Sequence, residues 1–122
     1  MYKKIIYYQD YKGRKPVKEF IDNLDDKTEG KILATIAFLQ LHWKEARRPL
    51  VDYIGDKLYE LRVHFHSDKV RILYAYMFED YIVLLHAVRK KTSKILEVDK
   101  LKAKKRRIDF EIRYKEGLIK LK

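Results

Sequence analysis

The chain has 122 residues, no cysteine, and 29 Lys and Arg against 18 Asp and Glu, a formal net charge of +11. That length suits a single domain, residues 1–122, with a real core, and the lack of cysteine excludes disulfides and thiolate metal sites. The longest apolar runs, "ILYAYMF" (72–78) and "YIVLLHAV" (81–88), fall far short of the roughly 20 residues that span a bilayer. The amino terminus, "MYKKIIYYQDYKGRK", has no apolar stretch of signal-peptide length. A soluble cytoplasmic protein with no membrane partner is expected. The charge favours a polyanionic partner: nucleic acid, the ribosome or an acidic protein.

Taken in chain order, "YKKIIYYQ" (2–9) is rich in β-branched and aromatic residues and predicts a first strand. After "GRKP", the residues Val17, Phe20, Ile21 and Leu24 fall on one face of a helix, and Pro16 suits its first turn. Asp26 and Glu29 resemble a capping box opening a second helix that runs to about Trp43, with Ile32, Leu33, Ile36, Phe38 and Leu39 as its apolar face. "KEARRPLVDYIG" (44–55) reads as helix end and loop, punctuated by Pro49 and Gly55. Strands are expected at about 57–65, 69–78 and 81–89, joined by the short turns "HSD" and "ED" and therefore antiparallel. From Leu96 a last helix places Val98, Leu101, Ile108 and Ile112 on one face, with "KAKKRR" on the others. The expected order is β-α-α-β-β-β-α. This is an α+β fold: a twisted four-stranded antiparallel sheet with the N-terminal helical hairpin on one face, an added C-terminal helix, and an opposite face left largely open.

Functional side chains are expected on that open face. In "LYELRV", Glu60, Arg62 and His64 alternate with Tyr59, Leu61 and Val63; in "VRILYAY", Arg71 alternates with Val70, Ile72 and Tyr74. Arg62 and Arg71 therefore share one side of neighbouring strands. Two guanidinium groups repel unless an anion completes the site, and their planar forks match phosphate geometry. The competing reading pairs them internally with Glu60, Asp68 or Glu79. Lys69, the histidines and the lysines after the fourth strand (Lys90, Lys91 and Lys94) add to the basic surface. His64 and His66 lack a third ligand, so no metal is expected. His86 sits in an apolar strand, as hydrogen-bonded rim histidines do; imidazole can also move protons in RNA cleavage. No Gly-rich phosphate loop, Ser/His/Asp set or metal-spaced carboxylate cluster is present.

The ordered pieces "LYELR", "VRILY", "LLHAVRKKTSK" and the basic helix "EVDKLKAKKRR", behind a leading strand and a helical hairpin, resemble the RelE/ParE toxin superfamily. The likeness is to its HigB-like, phage-derived branch and spans nearly the whole chain. The resemblance implies a metal-independent endoribonuclease of a type II toxin–antitoxin system that cuts messenger RNA on the ribosome and halts translation. It needs no cofactor. The implied partner is a helix-turn-helix, HigA-like antitoxin, with operator DNA reached only through that antitoxin. Position by position, Arg71, Arg62 and Lys91 match the family's catalytic cations. His64, Lys69, His86, Lys90 and Lys94 are the expected RNA-binding set. Glu97 stands where RelE-type enzymes carry a tyrosine, which leaves proton transfer open to His64, His86 or a tyrosine elsewhere. The alternatives are a ParE-like gyrase poison on the same fold and a non-catalytic RNA- or ribosome-binding module.

Overall fold

The computed structural model describes residues 2–89 and 94–121. The element order is β1 (Lys4–Tyr7), α1 (Pro16–Asp22), α2 (Asp26–His42), β2 (Val51–Gly55), β3 (Leu58–Phe65), β4 (Asp68–Met77), β5 (Tyr81–Arg89) and α3 (Glu97–Lys115). Pro16 stands at the start of α1, where its missing N–H costs nothing. The cap of α2 is Asp25, one residue earlier than expected, and its carboxylate accepts from the Thr28 backbone N–H.

Among the described residues these elements form an α+β fold with three helices and one five-stranded mixed sheet, ordered β1-β5-β4-β3-β2. Two details correct the four-stranded antiparallel expectation. The stretch 51–55, read as loop, is an edge strand that forms a tight hairpin with β3; Asp56 and Lys57, both at positive φ, make the two-residue turn. Pro49 and Gly55 close in on it so tightly that its short alternation was hidden. The first strand, in turn, lies at the other edge and runs parallel to β5, with Lys4 opposite Tyr81 and Tyr7 opposite Leu84.

The sheet is covered on both faces, which corrects the expectation of an open one. On one side Val17 and Ile21 of α1, and Ile32, Ile36 and Leu39 of α2, pack on Leu61, Val63, Val70, Ile72, Tyr74, Ile82 and Leu84. On the other, Ala103 and Phe110 of α3 pack on Leu58, Leu73, Ala75, Met77, Val83 and Leu85, with Tyr8 alongside. Register slips between Leu73 and Tyr74, which pair with His86 and Leu84, so Leu85 is an extra residue in β5. That bulge turns both Leu85 and His86 towards α3. The helix presents Asp99, Ala103, Arg106 and Phe110 to the sheet, whereas Val98, Leu101, Ile108 and Ile112, the shared apolar face read from its sequence, are all exposed. Polar anchors decide this. Asp99 meets His86 Nε2 at 2.9 Å, Arg106 donates to the Leu85 carbonyl at 2.8 Å, and Tyr8 donates its hydroxyl hydrogen to Asp109 at 2.6 Å. Ala103 has the small side chain that lets the helix come close.

Candidate functional site

Helix α3 covers the sheet chiefly over β4 and β5. Past its N-terminal end, towards the β3–β4 turn, the same face carries Glu60, Arg62 and His64 from β3 and Arg71 from β4. Arg62 and Arg71 are direct cross-strand partners, and His64 stands opposite Lys69. Alternation along two hydrogen-bonded strands puts them there, as the sequence predicts.

Like charges directly opposite destabilise a strand pair, and here Glu60 separates them. Its Oε1 accepts from Arg62 Nε at 2.8 Å, and its Oε2 lies 3.3 Å from Arg71 Nε. The second approach is ionic without hydrogen-bond alignment; among the described residues neither Glu60 Oε2 nor Arg71 Nε has a hydrogen-bond partner. Asp52 of β2 extends the chain of charges. It accepts from Arg62 at 3.2 Å and from Arg48 at 2.9 Å. Of the pairings weighed from sequence, Glu60 is thus realised; Asp68 lies instead 3.7 Å from Arg89.

The two arginines differ in access. The Arg71 side chain is 3% exposed and that of Arg62 is 28% exposed. This overturns the expectation that Arg71 projects freely from the sheet. Burial lowers the Arg71 pKa, against the pull of Glu60, but an arginine remains charged throughout the physiological range. Arg71 also approaches His64 Nε2 at 3.3 Å. With a guanidinium as donor, Nε2 must accept, which leaves the proton on Nδ1. Partial desolvation, then the charges of Arg71, Lys69 and Arg62, hold the His64 pKa below its ordinary value. The ring is neutral at pH 7 and can offer an Nδ1–H donor. Where β2 no longer covers it, the edge of β3 (Arg62, Val63 and His64) borders a cleft of about 290 Å³ on the α2 side, lined also by Lys31 and Thr35 of α2 with Pro49 and Leu50.

The remaining predicted residues are placed elsewhere or not described. His86 is buried under α3, with Asp99 on Nε2 and Arg106 within 3.3 Å of Nδ1. The structure does not bring it to the arginine pair. Lys69 is half-buried, and Lys94 is exposed on the approach to α3. Lys90 and Lys91 lie outside the described residues. Sequence reasoning missed Asp52 as a partner of the site, because its strand was read as loop. It also missed Arg106 and Asp99 as the groups that engage His86, since no local signal reveals which face of α3 meets the sheet.

In this arrangement Arg62 and His64 stand on one sheet face beside the buried charge of Arg71, a local surplus of cationic and donor groups of the kind that meets an anion. No individually characterised protein matches the chain. A family model described as "Phage derived protein Gp49-like (DUF891)" matches residues 19–107. That span runs from α1 through the arginine pair into α3, most of the chain. The chain therefore belongs to the Gp49-like phage-derived family, part of the RelE/HigB-like toxin superfamily, whose members are commonly toxins of toxin–antitoxin systems.

Proposed function

We propose that this protein is the toxin of a type II toxin–antitoxin pair and acts as an endoribonuclease on messenger RNA held by the ribosome. The observation that carries this reading is the guanidinium pair on adjacent strands, with Arg62 and a neutral His64 facing a cleft, in a chain of this family. In such a reaction a ribose 2′-hydroxyl gives up its proton to a base and attacks its own 3′ phosphate; the P–O5′ bond breaks, the 5′ oxygen leaves as a protonated hydroxyl, a 2′,3′-cyclic phosphate remains, and negative charge grows on the phosphoryl oxygens along the way. Arg62 meets that charge directly, and the His64 Nδ1–H donates a hydrogen bond beside it. Arg71 contributes through its field and by orienting His64. Groups already fixed on a sheet do not reorganise when the charge appears, so one such donor supplies several kcal/mol. Lys69 and Lys94 add to the basic surface along the RNA; by family resemblance Lys91, outside the described residues like Lys90, is the further catalytic cation and Lys90 an RNA-binding residue. His86 serves this reading by anchoring α3. The partner is an antitoxin, of the helix-turn-helix, HigA-like kind.

The test is to add the purified protein to translating ribosomes and map new RNA 5′ ends. Cleavage that disappears in Arg62→Ala is the expected result. Growth arrest without RNA cleavage would point to gyrase, and ribosome binding without cleavage to a binding module; either outcome overturns the proposal.

A further inference from the structure

Helix α3 carries a pattern that the core does not use. Val98, Leu101, Ile108 and Ile112, with Lys105 between them, follow the alternating three- and four-residue steps of heptad a and d positions. The four aliphatic side chains are 40–64% exposed, whereas Ala103 and Phe110, on the opposite side of the helix, are buried. The seam is about 21 Å long at 1.5 Å per residue. Branched aliphatics repeated along one outward face are the signature of a helix that packs against another helix. Lys102 and Lys105 are exposed on the same half of α3; towards its C-terminal end Lys115 is paired with Glu111 at 3.2 Å, and Asp109 with Arg113 at 2.7 Å, so among the described residues the unpaired positive charge beside the stripe is that of Lys102 and Lys105.

We propose that this face of α3 docks an amphipathic helix of an acidic protein partner, presenting apolar a and d side chains bordered by Asp and Glu. Charge selects this occupant. A second copy of the chain, itself at +11, would set Lys102 and Lys105 against their own kind, with Lys105 in the middle of the seam. An acidic helix meets the same lysines with opposite sign while covering the aliphatic stripe. A second outward apolar face, Leu33, Ala34, Ala37, Phe38 and Leu41 of α2, lies on the opposite side of the sheet. It has no surplus of positive charge to select an acidic partner and serves as the comparison surface. The inference rests on the antitoxin reading above and assigns that partner a site.

The test titrates the purified product of the adjoining reading frame onto this protein by calorimetry. For wild type, tight binding that weakens with salt is expected. Leu101→Glu/Ile108→Glu should weaken it at least a hundredfold, and Lys102→Glu/Lys105→Glu about tenfold with a flatter salt dependence. Leu33→Glu/Phe38→Glu should stay within about threefold of wild type, the behaviour of residues outside an interface. All the substituted side chains are exposed, and thermal melts confirm that each variant is folded. Wild-type affinity in both α3 variants would overturn this surface while leaving the antitoxin reading intact. Loss confined to the α2 variant would move the interface to the other layer and overturn it as well. If wild type itself does not bind, the antitoxin reading fails and takes the inference with it; the ribonuclease reading is then still decided separately by cleavage.

Discussion

Arg62 and Arg71 face each other across β3 and β4 with a single carboxylate between them: Glu60 lies 2.8 Å from the first and 3.3 Å from the second. The three side chains form one unit, because alternation sends Glu60 and Arg62 of the same strand to the same face. The unit is graded in depth. Glu60 and Arg71 are almost fully buried, Arg62 reaches the cleft, and Arg48 at the outer end of the chain is mostly exposed. The gradient separates what these residues do for the fold from what they can do for a ligand.

Arg71→Ala should destabilise the fold. It removes one partner of a buried ion pair and leaves Glu60 with Arg62 alone, which costs about 3 kcal/mol, the lower end of the range for such sites. The alternation alone suggests a cost below about 1 kcal/mol, the usual figure for a side chain away from the core. Urea denaturation distinguishes the two. The double variant Arg71→Met/Glu60→Leu should recover part of the loss, since it removes both buried charges together, while the partly exposed Arg62 loses Glu60 but keeps Asp52.

Arg62→Ala should separate catalysis from folding. The fold survives with a loss of about 2–3 kcal/mol, since the hydrogen bonds to both Glu60 and Asp52 are broken. Single-turnover RNA cleavage should fall about a hundredfold or more, as for loss of one preorganised donor. Ribosome affinity at fixed salt should fall much less, because many other cations share the phosphate contacts. An equal fall in affinity and cleavage would make Arg62 a binding residue only.

Stability should decline as pH drops from 7 towards 5. His86 and His64 both have folded-state pKa values below the ordinary histidine value, chiefly because of burial for His86 and partial desolvation for His64. Between the folded and unfolded values the unfolded chain binds more protons, so stability rises with pH in that window and is lost on acidification through the unfolded value of about 6.5. At His86 the neighbouring Asp99 opposes the shift and Arg106 reinforces it. Thermal melts at pH 7.5 and 5.5 measure the decline, and His86→Gln should reduce it. An unchanged difference in that variant would assign the decline to other groups.

The two sides of α3 should respond oppositely to truncation. Phe110→Ala opens a cavity in the second core and should cost about 3–5 kcal/mol. Ile112→Ala, two residues on but facing outward, should stay within about 0.5 kcal/mol. Denaturant midpoints of the two variants check the orientation of the helix directly.

The sequence by itself determined the elements with strong periodicity and the side of the sheet each strand residue occupies. The helical hairpin, the three central strands and the sharing of one face by Glu60, Arg62, His64 and Arg71 follow from periods of 3.6 and 2, which are local properties. It also carried the family, through short stretches around those same residues. Only the tertiary structure decided how deeply each side chain lies. Arg71 and Arg62 are equivalent by alternation, yet Arg71 on central β4 is buried beside Glu60, and Arg62 on β3 is left at a cleft. The same holds for α3, whose aliphatic stripe does not mark its buried face. Asp99, Arg106 and Asp109 had partners waiting on β5 and at Tyr8, and Ala103 allowed close approach, so hydrogen bonds between distant parts of the chain outweighed the hydrophobic pattern. Local periodicity records which residues point the same way; burial depends on what the rest of the chain brings against them.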